Sequence, residues 1–133
     1  MDIFDLIGPI MVGPSSSHTA GAARIGYVAR RILGERPARA ALFLHGSFAA
    51  TGSGHGTDRA LIAGLLGMRP DDRRIPDSFS LAQEQGLDFR FASEDMPGAH
   101  PNTVRLSLLG EQGGSLEMTA ASIGGGRIQV RRL

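Results

Sequence analysis

Residues 103–131, TVRLSLLGEQGGSLEMTAASIGGGRIQVR, decide the fold. Thr103–Leu109, Ser115–Ser122 and Arg127–Arg131 alternate apolar and polar residues or run apolar, as strands with a covered face do. Gly113-Gly114 and Gly124-Gly125-Gly126 fall between them. Glycines there read as tight turns, and the triple glycine also suits close approach of the backbone to a ligand. Leu87–Phe91 reads as a fourth strand, set off by the turn Met96-Pro97-Gly98. The set is predicted to be at least partly antiparallel.

Toward the N-terminus the period changes. From Thr19 to about Leu33 the pattern is helical, with Gly21, Ile25, Val28, Ala29 and Ile32 on one face and Arg24 and Arg31 elsewhere. Ser17 or Thr19 suits the N-cap and Gly34 the stop. Pro37 precedes Ala40–Leu44, an apolar run that reads as a buried strand. His45 to Gly56 reads as a glycine-rich loop with room for short regular pieces. Thr57 or Asp58 is expected to cap a second helix through about Leu66, with Gly67 ending it. Met68 to Ser78 reads as loop, and Ser80 to Gln85 as a further helical turn. Helix, strand, helix and then several strands predict an α+β fold, with helices packed on a mixed, largely antiparallel sheet. No repeat or linker interrupts the 133 residues, so one domain is expected. Residues 1–12 are apolar for a terminus and are expected to pack down.

Composition excludes several chemistries. There is no cysteine, hence no disulfide, no thiolate nucleophile and no cysteine-ligated cluster within this chain. There is no lysine either: all 14 basic residues are arginine. A Schiff base with pyridoxal phosphate and a P-loop lysine are both excluded. A net charge of +1 with scattered acids and arginines leaves no footprint for nucleic acid. No stretch approaches the roughly 20 apolar residues of a membrane span, and no signal peptide is visible, so a cytoplasmic protein is expected.

The residues that carry chemistry fall in four places. Gly13-Pro14-Ser15-Ser16-Ser17-His18-Thr19-Ala20-Gly21 puts hydroxyls, an imidazole and free backbone N–H groups at a helix start, a cradle for a small anion. One serine would suffice for a cap, so three together favour a site over a plain N-cap box. Thr51-Gly52-Ser53-Gly54-His55-Gly56-Thr57-Asp58 isolates His55 among glycines, where an imidazole can serve as a general base. The bland alternative is a solvated histidine on a flexible turn. Ala99-His100-Pro101-Asn102-Thr103 sets a second histidine at a strand start, which alone reads as a turn. Ser122-Ile123-Gly124-Gly125-Gly126 is the fourth. His18, His45, His55 and His100 lack the i,i+4 pairing of a zinc site, and His45, after a buried strand, suits a core histidine. No Gly-x-Ser-x-Gly elbow supports a serine hydrolase.

Taken together, these segments, with His45-Gly46-Ser47-Phe48-Ala49-Ala50 and Ile75-Pro76-Asp77, resemble the β chain or β domain of the iron–sulfur-dependent L-serine dehydratases. The resemblance runs in order over nearly the whole chain. It implies an L-serine ammonia-lyase subunit, inactive alone, that takes part in amino-acid degradation and gluconeogenesis by converting L-serine to pyruvate and ammonia without pyridoxal phosphate. A [4Fe-4S] cluster would be held by a partner α chain, with no metal held by this one. His55 and His100 would be catalytic, His55 as the base. Ser15, Ser16, Ser17, His18 and Thr19 would bind substrate. The family's β fold is similar to the allosteric substrate-binding domain of some phosphoglycerate dehydrogenases. Residues 1–133 would be a single β domain, the C-terminal ACT domain usual in two-chain members being absent or removed. A homodimer would be compatible. The alternative is a regulatory module that binds serine or another small acid and does no chemistry.

Overall fold

The computed structural model describes residues 16–51 and 56–132, with only the backbone described for Ser16, Ser17, His18, Thr51 and Arg132. The chain runs α1 (Ser16–Leu33), β1 (Pro37–Leu44), α2 (Gly46–Thr51), α3 (Thr57–Leu65), a 3-10 turn (Ile75–Asp77), α4 (Ser78–Gln85), β2 (Asp88–Ser93), β3 (Thr103–Gly110), β4 (Ser115–Gly124) and β5 (Arg127–Arg132). The strands form one sheet in the order β2-β1-β3-β4-β5. β1 and β2 are parallel, and the other neighbours are antiparallel. The fold is therefore α+β with a mixed, largely antiparallel sheet, as the sequence predicts.

Alternation sets which face is covered. Ala40, Leu42 and Leu44 stand opposite Leu108, Leu106 and Val104, and Val104 and Leu106 in turn face Ala120 and Met118. All are buried, and the helices lie on this side. α1 crosses β4 and β5, α3 packs along α1, and α4 follows beside α3. Phe79 of α4 stacks its ring 4.9 Å from Phe89 of β2. On the other face, Thr103 and Ala121 are buried, whereas Arg39, Leu109, Ser115 and Glu117 are exposed.

α1 and α3 meet backbone to backbone at Gly26 and Gly64. A Cβ on Gly64 would run into the Ala23 carbonyl and lie 2.6 Å from Tyr27 N; one on Gly26 would lie 2.9 Å from Leu65 N. No side chain fits there, which lets Leu61, Ile62 and Leu65 reach zero exposure in a domain with few aromatics. Gly34 ends α1 in the left-handed region, its N–H donating to Arg30 O at 3.1 Å.

Two sequence expectations change. Arg24 is fully buried and Ile32 is 42% exposed, the reverse of their expected faces. Ile25, Val28 and Ala29 of the expected face are buried, Arg24 is buried beside them, and Ile32, one turn past Val28, lies outside the covered surface. The N-cap of α3 is Gly56 in the left-handed region, with no side-chain capping bond. Asp58 instead accepts the Arg59 N–H at 2.7 Å. Gly46–Thr51, helix α2, is a short regular piece of the kind for which the glycine-rich stretch left room.

Candidate active site

The sheet brings separate motifs to one end. β1, β2 and β4 finish there, and β3 and β5 begin there. The N-terminal turns of α1 pack against it: a Cβ on Gly21 would lie 2.8 Å from Ser122 Cβ. Ser122 N–H donates to Asn102 O at 2.9 Å, and Ser47 N–H donates to Pro101 O at 2.8 Å. The start of α1, the His100 loop, the Ser122–Gly126 turn and the His45–Ser47 segment are thus one connected structure.

His100 stands on this end, half-buried. The preceding turn closes through Ala99 N–H to Met96 O at 3.0 Å, with Pro97 and Gly98 at the positions a type II turn favours and Gly98 at φ +81°. The ring is oriented by its own loop. Nδ1 accepts the Asn102 N–H at 3.0 Å, and the Thr103 hydroxyl donates to the His100 carbonyl at 2.7 Å. An Nδ1 that accepts from a backbone amide leaves the neutral ring's proton on Nε2. His100 therefore offers an N–H donor on Nε2.

Two polar atoms beside it have no partner. Among the described residues, Ser122 Oγ and Asn102 Oδ1 are buried without a hydrogen bond. Leaving such an atom unsatisfied costs about 1–3 kcal/mol, and native structures keep few of them outside working sites. Arg24 adds a fixed cation: its Nη1 donates to the Gly126 carbonyl in the triple-glycine turn. Burial pulls its pKa below the ordinary arginine value, yet a guanidinium stays charged at neutral pH. Hydroxyl, amide, imidazole N–H, helix N-terminus and guanidinium are the groups that hold a small zwitterionic acid.

The other expected site residues divide. Thr19 is half-buried in the first turns of α1. Ser16, Ser17 and His18 form the start of the same helix by backbone. Ser15 and His55 lie outside the described residues. Next in sequence after His55, Gly56 sits at φ +82°, and Thr57 and Asp58 are buried. Arg24 is a group at this end that the sequence pattern missed, because it falls between apolar positions like any surface charge. Ser122 heads a segment the sequence does single out, but its buried hydroxyl is visible only in the structure.

The donor set does not suit a cluster held by this chain itself. The sequence has no cysteine, and among the described residues no three His, Asp or Glu side chains gather to hold a metal. A hollow of about 410 Å³ lies at the far end of the strands, lined by Arg39, Asp88, Arg90, Ser107 and Leu109. None of the described histidines lines it; the polar groups above lie at the opposite, loop end of the sheet. No described helix is long and apolar enough to cross a membrane.

An α+β layer with a polar, loop-built end, a histidine fixed as a donor and, among the described residues, buried acceptors left open belongs to the class of folds that can hold a small polar molecule. Comparison with known proteins narrows this. Residues 2–85 match the family described as serine dehydratase beta chain. The chain is 50% identical over 131 residues to the probable L-serine dehydratase, beta chain, of Bacillus subtilis, covering 98% of this chain and 59% of that one. It is 47% identical to the L-serine dehydratase, beta chain, of Peptoniphilus asaccharolyticus, over 96% of this chain and 58% of the relative. It is 31% identical to L-serine dehydratase 2 of Escherichia coli, over 96% of this chain and 33% of that protein. The chain belongs to the serine dehydratase β-chain family. It spans somewhat under three fifths of the length of the two β chains it matches.

Proposed function

We propose that this chain is the β subunit of an L-serine dehydratase, one β domain that supplies substrate-binding and proton-transfer groups to a site completed by an α chain. The observation that carries the reading is the convergence at one sheet end of the α1 N-terminus, His100 and the open acceptors Ser122 Oγ and Asn102 Oδ1. The relatives' names support L-serine as the substrate. The α chain would supply a [4Fe-4S] cluster, whose chemistry is that of a Lewis acid toward the substrate hydroxyl. Pyridoxal phosphate has no lysine to join here.

The β chain's own steps follow. The hydroxyls and N–H groups of Ser15, Ser16, Ser17, His18 and Thr19 hold the carboxylate of L-serine at the positive end of α1. His55 removes the Cα proton. His100, with its proton on Nε2, donates toward the departing hydroxyl, which leaves as water. The aminoacrylate tautomerises to the imine, and one water hydrolyses it to pyruvate and ammonia. A cytoplasmic location goes with this reading.

The test is anaerobic assembly with the α chain and measurement of pyruvate release from L-serine. His55→Ala is expected to lower kcat about 10²–10⁴-fold, as loss of a general base does. Turnover at the wild-type level in that variant would remove His55 from the mechanism. Tight serine binding by the isolated chain in calorimetry, with no turnover on assembly, would make the protein a sensor instead.

A further inference from the structure

His45 was set aside by the sequence as a core histidine, yet it touches the loop that carries His100. We propose that His45 is a positioning residue: with Gly46 and Ser47 it grips the His100 loop and fixes where that imidazole stands at the loop end of the sheet. The inference rests on the proposed dehydratase reading for its consequence in turnover, and on geometry alone for the grip.

The grip has three points. His45 Nδ1 accepts the Met96 N–H at 3.0 Å. His45 N–H donates to Thr103 O at 3.0 Å, and Ser47 N–H donates to Pro101 O at 2.8 Å. Met96 precedes His100, and Pro101 and Thr103 follow it, so the loop is held on both sides of the ring. Gly46 allows the approach. It sits at φ +59°, and a Cβ there would lie 2.9 Å from Pro101 Cα. The His45 side chain is only 14% exposed, so water competes weakly for its nitrogen. An Nδ1 that accepts from Met96 carries no proton, and the neutral ring keeps its hydrogen on Nε2. The loop's near end is tied separately, by Glu94 N–H to Leu44 O at 2.9 Å.

The same segment leads to the other histidine. α2 starts at Gly46 and ends at Thr51, a rise of about 9 Å at 1.5 Å per residue. Residues 52–54 then lead to His55. The stretch that holds the His100 loop is thus continuous in sequence with His55. Displacing a reacting group by about 1 Å can cost about 10²-fold in rate, so slack at His45 is expected to appear in kcat.

Three variants and two measurements test this on the full chain assembled with its α partner. His45→Asn puts an amide oxygen where Nδ1 accepts; His45→Gln puts it where Nε2 stands, out of reach of Met96 N–H; His45→Ala removes it. His45→Ala and His45→Gln are expected to lower kcat about 10–100-fold with KM changed less than about 3-fold, and His45→Asn to recover kcat to within about 3-fold. Hydrogen exchange across residues 96–103 is expected to quicken in the first two variants and to match wild type in His45→Asn. If His45→Gln and His45→Asn behave alike in both measurements, the positioning role is overturned. Unchanged exchange in folded His45→Ala would overturn it as well. Absence of serine turnover in the wild-type assembly would count against the dehydratase reading, while the exchange results would still judge the grip.

Discussion

Ser122 shows what a single residue can report about a site. Its side chain is 1% exposed, and among the described residues its hydroxyl has no hydrogen-bond partner. A hydroxyl kept there for stability alone would be a poor choice, because the desolvation is not offset. Ser122→Ala is expected to leave the chain as stable as wild type or more stable, by up to about 1 kcal/mol. In the assembled enzyme it is expected to raise KM for serine several-fold. Urea unfolding and steady-state kinetics read the two effects separately, and a fall in stability with unchanged KM would assign the hydroxyl to packing. His100 teaches a related lesson. Its presence at a strand start was legible, but its tautomer follows from the Asn102 N–H that it accepts, and no sequence pattern states that.

At the scale of elements, α1 and α3 depend on two missing side chains. Gly64 faces the Ala23 carbonyl and Tyr27 N, and Gly26 faces the backbone of Leu61 and Leu65. Backbone cannot swing aside as a flexible side chain can, so Gly64→Ala must push the helices apart. It is expected to cost about 1–3 kcal/mol, the range for overpacking a dense interior, despite alanine's better helix propensity. Thermal unfolding would show this as a lower Tm, and an unchanged or raised Tm would mean that the crossing yields. Because α1 also positions Ser122 through Gly21, a shift there would reach the site. The helices themselves were legible from period and from Gly34 and Gly67. α2 was not: six residues beginning Gly46-Ser47 give too short a pattern to separate helix from loop.

At the scale of the whole molecule, one ion pair on the sheet adds a pH-dependent contribution to stability. Arg105 on β3 donates from Nη2 to Glu94 Oε1 at 2.6 Å and from Nη1 to Glu117 at 3.1 Å, and its guanidinium lies 4.1 Å from the centre of the Phe43 ring. Hydrogen bonding from Arg105 holds the Glu94 carboxyl below the usual carboxylate value. In the window between the folded and unfolded values, the unfolded chain therefore binds more protons. The stability Glu94 contributes is full above the unfolded value of about 4.3 and is lost as pH falls through the lower folded one. Wild type and Glu94→Gln are expected to differ by a constant amount near neutral pH and to converge below about pH 4. Urea midpoints from pH 7 to pH 3 test this, and a gap that does not narrow at all as pH falls through that range would mean that the carboxylate charge is not what matters.

By itself the sequence determined the order of elements, the α+β class, the exclusion of lysine and cysteine chemistry, and the residues that carry the family resemblance. Each of these is local: a period of 2 or 3.6, a glycine or proline at a turn, a residue type that is present or absent. The tertiary structure decided what those residues share. Arg24 became a buried cation because β4 and β5 turn beneath α1. His45 became the holder of the His100 loop because Met96, 51 positions later, returns beside β1. Such pairs are joined by sheet register and helix packing, and no run of neighbouring residues carries that information.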